Sequence, residues 1–102
     1  MLTNDELARA IERLPGERVT KEYMESRIDL VKYHHLGPTL THCTIHLDNR
    51  YSVTGESACV DPANYRQDIG ERIAYDNAFA KLWPLFGFLL AEHRHLHGPA
   101  DA

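Results

Sequence analysis

The stretch from Thr54 to Leu90, TGESACVDPANYRQDIGERIAYDNAFAKLWPLFGFLL, does most to decide what this chain can fold into. It reads as the end of a strand, a sharp turn and one long apolar helix that carries the only Trp. Asp61 followed by Pro62 is a strong helix start. The carboxylate accepts from first-turn amides, and proline has no N–H to lose at the first helical position. At 100° per residue, Tyr65, Ile69, Ile73, Ala80, Trp83 and Leu90 fall on one face, and Tyr75, Phe79, Leu82, Phe86 and Leu89 form a second stripe beside it. Together they exceed the stripe of about 100° that packs a helix on a single core. A chain this short has little second layer to offer, so the spacing predicts self-association, with Phe79, Leu82, Phe86 and Leu89 as the interface. Pro84 predicts a kink, or a division of the helix at Trp83.

The segment before this helix predicts a hairpin, Thr39 to Leu47 and Tyr51 to Ser57, turning at Asp48-Asn49-Arg50. A three-residue loop pairs Leu47 with Tyr51, Ile45 with Val53 and Cys43 with Gly55, which gathers the apolar residues on one face. The other face then carries His42, Thr44 and His46 opposite Glu56, Thr54 and Ser52, either a plain solvated surface or a ligand platform. Upstream, Ile28 to Tyr33 reads as another strand, broken at Gly37-Pro38. Thr3 and Glu6 form a capping box for a short helix whose apolar face is Leu7, Ile11 and Leu14, stopped at Pro15-Gly16. Thr20 caps a second helix, with Val19 and Met24 spaced as a hydrophobic staple. The expected fold is α+β: two short N-terminal helices, a three-stranded antiparallel sheet and a long kinked C-terminal helix packed on it.

At 102 residues the chain supports one core, so residues 1–102 are expected to be a single domain, with about 94–102 as a flexible tail. A net charge of −4 without a basic run argues against nucleic-acid backbone binding. No apolar run reaches the roughly 20 residues that span a bilayer. Met1 leads straight into a helix cap with no signal-peptide pattern, so a cytoplasmic location is expected. Two cysteines without a CxxC spacing fit reduced thiols there.

Candidate chemistry is sparse. Asp76 lies one turn after Arg72 and is either half of a surface ion pair or a pocket-lining carboxylate. Cys43 faces the expected core. Cys59 precedes the long helix, whose dipole favours a thiolate, but no histidine stands near it in sequence to act as base. Seven histidines raise the question of a metal. Their spacing gives no site: His42 and His46 lie about 13 Å apart along a strand, and His34 and His35 point to opposite faces. His93 and His97 meet only if the last helix runs that far, giving either a weak metal pair or a solvated tail. No metal or cofactor is expected.

The run Thr54-Gly55-Glu56-Ser57-Ala58-Cys59, followed by Pro62, Asn64, Ile69-Gly70, Ile73-Ala74, Asn77-Ala78, Lys81, Trp83-Pro84-Leu85, Gly87 and Leu90, resembles the signature of a small phage protein family. That family is labelled after phage N4 gene 49 and Sf6 gene 66. Val19 to Ile28 extends the similarity upstream, while the loop at Gly37-Pro38 and the His-rich tail depart from it. The resemblance implies a phage or prophage gene expressed inside the host, and it supplies no catalytic residues.

Small non-structural phage proteins often bind and disable host machinery. The expected role is therefore a non-enzymatic binding protein that acts in the host cytoplasm, in host takeover or counter-defence. It would sequester a small anionic ligand such as a signalling nucleotide, or block a host protein. The candidate contacts are Glu56, Ser57, Cys59, Arg72, Tyr75, Asp76 and Lys81, since amides at a turn before a helix hold anions. For that turn a purely structural reading is equally open, with Gly55 for a tight approach and Ser57 and Asp61 for capping. The alternatives are a homo-oligomeric assembly protein without ligand, or a small enzyme using Cys59 or Asp76.

Overall fold

The computed structural model describes residues 1–13 and 16–98. Helices α1 (Asn4–Glu12) and α2 (Lys21–Ser26) precede strands β1 (Ile28–Leu36), β2 (Leu40–Leu47) and β3 (Ser52–Ala58), and helices α3 (Gln67–Ala80) and α4 (Leu82–His97) follow. The strands form one antiparallel sheet in the order β1-β2-β3. The expected α+β architecture is therefore present.

Local chemistry sets the early elements as their residues demand. Thr3 and Glu6 form both halves of the capping box of α1. Yet Leu7 and Ile11 stay exposed, and no residue of α1 is buried. Leu14 and Pro15, expected on that helix face and at its stop, lie outside the described residues. The Thr20 hydroxyl accepts from the Tyr23 amide to cap α2, Met24 is fully buried, and Val19 packs against the same core.

The β2–β3 hairpin has the expected register, with Cys43 opposite Gly55 and Ile45 opposite Val53. Its loop closes through the Leu47 amide donating to the Tyr51 carbonyl at 2.8 Å. Arg50 takes the left-handed φ of 74° that a three-residue loop requires at its last position.

The long helix departs from expectation in three ways. Asp61 does accept from the Ala63 amide at 2.9 Å, but this start yields only a one-turn 3-10 helix, Pro62–Asn64. Tyr65 and Arg66 are extended, and α3 begins at Gln67. The later break falls at Lys81 rather than Trp83. Its cause is still Pro84, which cannot donate to the carbonyl of Ala80 and whose ring crowds it.

The third departure concerns which face is inside. Gly70, Ala74 and Ala78, four residues apart, are buried in α3, and Phe79 is its one large buried residue. A Cβ on Gly55 would sit 2.2 Å from the Ala78 nitrogen and 2.5 Å from the Ala74 oxygen. Helix and strand backbones are thus almost in contact, and only small residues fit between them. Ile69, Ile73 and Trp83, expected to pack inward, are consequently exposed. Of the expected interface, Phe79, Leu82 and Phe86 are buried in the chain's own core and only Leu89 is exposed.

The molecule is extended for its size. Its radius of gyration is 17.2 Å, against about 13 Å for a compact chain of this length. Helix α4 runs on to His97, through the first residues of the expected tail, while residues 99–102 lie outside the described set.

Candidate functional site

The interruption between Asn64 and Gln67 has a structural consequence. It leaves Tyr65 beside the β1–β2 turn, where its hydroxyl lies 2.9 Å from His35 Nδ1 and 3.2 Å from Thr41 Oγ1. His35 Nε2 lies 3.1 Å from Glu71 Oε2, which also accepts from Gln67 Nε2 at 3.0 Å. For a neutral imidazole, one proton arrangement satisfies the whole set. His35 donates from Nε2 to the Glu71 carboxylate and accepts the Tyr65 hydroxyl at Nδ1, while Thr41 donates to the tyrosine oxygen. Thr41 is completely buried, and Gly70 lies directly beneath it, with room for no side chain: a Cβ there would come within 2.8 Å of Thr41 Oγ1. The network joins β1, β2, the Tyr65 segment and α3.

Beside it lies a small cleft of about 170 Å³ lined by Ser57, Cys59, Asn64, Tyr65, Arg66 and the apolar edges of Ile69 and Ile73. Two of the expected contact residues, Ser57 and Cys59, therefore share one cleft. The Cys59 thiol donates to the Asp61 carbonyl at 3.1 Å, and the cleft lining contains no histidine or carboxylate. Arg66 is paired with Asp68 at 2.7 Å.

A second, open depression brings together Arg72, Tyr75 and Asp76 with Lys21, Glu25 and Tyr33. Arg72 Nε donates to both Asp76 oxygens, at 3.1 and 3.0 Å, with both side chains more than half exposed. This is the surface ion pair rather than a buried carboxylate. Burial raises the pKa of Tyr75 above the ordinary tyrosine range. Glu56 lies on the opposite side of the sheet, and Lys81 is exposed at the break between α3 and α4. The seven expected contacts thus divide among separate places and do not converge on one anion.

Two further features were not apparent from residue types alone. Asn77 donates to the Glu56 carbonyl at 2.8 Å, fastening α3 to the strand that it nearly touches. Along α4, Leu85, Phe88 and Leu89 stand exposed beside Tyr51 and line an apolar groove of about 250 Å³. Phe88 is 68% exposed. The other flank of α4 forms a larger groove of about 460 Å³ with Val19, Tyr23, Phe86 and Leu89.

The model of the phage protein (N4 Gp49/phage Sf6 gene 66) family matches residues 19–93. The chain belongs to that family. The matched region runs from the α2 staple through most of α4 and leaves out α1, the helix without a buried residue. Membership in a phage protein family makes this a phage-encoded protein. No curated protein and no solved structure matches the chain.

The geometry also accounts for much of the run that carries the family resemblance. Gly55 with Ala74 and Ala78 is the close-packed seam, Asn77 is its hydrogen-bonded clasp, and Gly70 makes room for Thr41. No described helix is long and apolar enough to cross a membrane.

Proposed function

We propose that this phage-encoded protein is a non-enzymatic binding protein that acts in the host cytoplasm, in host takeover or counter-defence, by occluding the apolar surface of a host protein. The observation that carries the reading is the shelf on α4. Tyr51, Leu85, Phe88 and Leu89 are contiguous around one groove and exposed by 55, 37, 68 and 47%. Taking roughly 200 Å² for each side chain, they present about 400 Å² of apolar surface, within the range of patches that are often functional on a monomer. Small-anion sequestration has less support. Its expected contacts lie in separate depressions, and Arg72 is engaged by Asp76.

A second reading, self-association through the same shelf, is favoured by α1, whose exposed Leu7 and Ile11 offer an apolar stripe able to cover it. Phe88→Glu separates the readings, because an exposed side chain can be changed without touching the core. Crosslinking in phage-infected cells should capture a discrete host protein on the native chain and lose it with Phe88→Glu. The same partners captured by both proteins would overturn the proposal. Light scattering on the purified chain reports the second reading directly: a multiple of 11.7 kDa that reverts to a single chain in Phe88→Glu supports self-association.

A further inference from the structure

The open face of the sheet carries a row of side chains that spacing along any one strand does not reveal. The β1–β2 register places His34 directly opposite His42, and the β2–β3 register places His42 opposite Glu56. Core packing of Val31, Tyr33, Cys43 and Ile45 fixes the alternation, so His34, His42 and Glu56 share the face turned away from α3. The imidazole rings of His34 and His42 have centroids 6.4 Å apart, and His42 Nδ1 lies 3.5 Å from Glu56 Oε1.

We propose that His34 and His42 form a binding site for a divalent transition-metal ion such as Zn²⁺, with Glu56 as the positioning residue for His42. Two imidazoles sharing one tetrahedral ion, with metal–nitrogen bonds near 2.1 Å, have ring centres roughly 5 Å apart. The observed rings must approach by about 1 Å, and His34 is exposed and free to rotate. Glu56 on the Nδ1 side of His42 favours the tautomer with its proton there, which leaves the Nε2 lone pair for the ion. This is the carboxylate–histidine–metal relationship that orients ligands in metal sites. The two histidines project from neighbouring paired strands, so the backbone needs no reorganisation. No group of three His, Cys, Asp or Glu side chains is assembled for a metal among the described residues. The site is therefore an open two-histidine one, and its remaining positions go to water or to a ligating group of whatever docks on the sheet.

The test must discriminate this pair from His93 and His97, whose rings lie 4.6 Å apart one turn from each other on α4. Zn²⁺ titration calorimetry is run on the His93→Ala/His97→Ala protein and on that background with His42→Asn or Glu56→Gln added. The background protein should bind one Zn²⁺. His42→Asn should abolish that binding, and Glu56→Gln should weaken it about 10-fold, the usual effect of removing an outer carboxylate. Equal Zn²⁺ binding with and without His42→Asn overturns the proposal, as does absence of binding to the background protein. Should a variant lose its fold, substoichiometric Cu²⁺ added to the unsubstituted protein gives an independent reading. Amide broadening centred on residues 34 and 42 supports the site, and broadening confined to residues 93 and 97 refutes it.

Discussion

Gly55→Ala tests the packing on which the rest of the molecule depends. Adding one methyl group at this position puts carbon 2.2 Å from the backbone nitrogen of Ala78, 2.5 Å from the oxygen of Ala74 and 2.8 Å from the Ala78 Cα. Ordinary non-bonded contact begins near 3.5 Å. All three neighbours are main chain, so no side-chain rotation relieves the overlap, and α3 must retreat by about 1 Å. That movement stretches the Asn77 to Glu56 hydrogen bond and loosens Ala74 and Ala78 in the core. Overpacking typically costs about 1–3 kcal/mol, and a backbone obstacle belongs at the upper end. The lower unfolded-state entropy of alanine offsets less than about 1 kcal/mol. The expected net loss is therefore about 2–3 kcal/mol, or roughly 10–20 °C in melting temperature for a chain of this length. Gly87→Ala is the control. It has no atom within 4 Å of its added Cβ and lies inside α4, so it should stabilise by about 0.5–1 kcal/mol. Urea unfolding monitored by circular dichroism measures both. A Gly55→Ala midpoint equal to that of the native chain would refute the close-packed seam.

Two further outcomes follow from burial. Cys43 is fully buried and Cys59 is only partly so, hence a small alkylating reagent should modify Cys59 in the native protein and leave Cys43 intact; labelling of Cys43 at the same rate, read by peptide mass spectrometry, would contradict the assigned strand alternation. Burial raises the pKa of both Tyr33 and Tyr75. The unfolded chain then ionises first as pH rises, so the contribution of these two tyrosines is constant through neutral pH and is lost as pH rises through about 10, the ordinary tyrosine range. The urea midpoint should therefore be lower at about pH 10.5 than at about pH 9, and the difference should be smaller in Tyr75→Phe. Equal drops in the two proteins would remove Tyr75 as a source of the effect.

The parts of the fold legible in the sequence were those set by local rules. The capping box at Thr3, the staple of Val19 and Met24, and the three-residue hairpin loop each follow from a few adjacent residues, and each is present. The orientation of α3 was not legible, for a physical reason. Hydrophobic periodicity favours large side chains, whereas this helix approaches the sheet so closely that three of its four buried residues are the small Gly70, Ala74 and Ala78, with Phe79 the fourth. Large residues at 69 and 73 were pushed outward by that proximity. The Tyr65 network escaped notice for a related reason, since it depends on a helix break that Asp61-Pro62 disguises as a helix start. A signal did exist. Thr41 and His35 fall on the same alternation as Cys43 and Tyr33, so each is a polar residue on the apolar side of its strand. Polar groups so placed need partners, and here they partner each other through Tyr65.

These observations bear on where recognition can occur. A family signature dense in glycine, alanine and asparagine invites an anion-binding turn as its explanation. In this molecule the same residues are occupied by packing: Gly55 against α3, Asn77 on a strand carbonyl and Gly70 beneath Thr41. Groups committed in this way hold the helix on the sheet and leave little free to meet a ligand. What the seam leaves available is displaced from it on either side. The shelf around Phe88 stands where α4 continues beyond the sheet, and the His34–His42–Glu56 row lies on the sheet's opposite face. Of the residues in these two proposed surfaces, Glu56 and Leu85 belong to the run that carries the family resemblance, whereas Tyr51, Phe88, Leu89, His34 and His42 do not. Substitutions in the seam should act through stability, whereas Phe88→Glu and His42→Asn should change binding in a protein that remains folded.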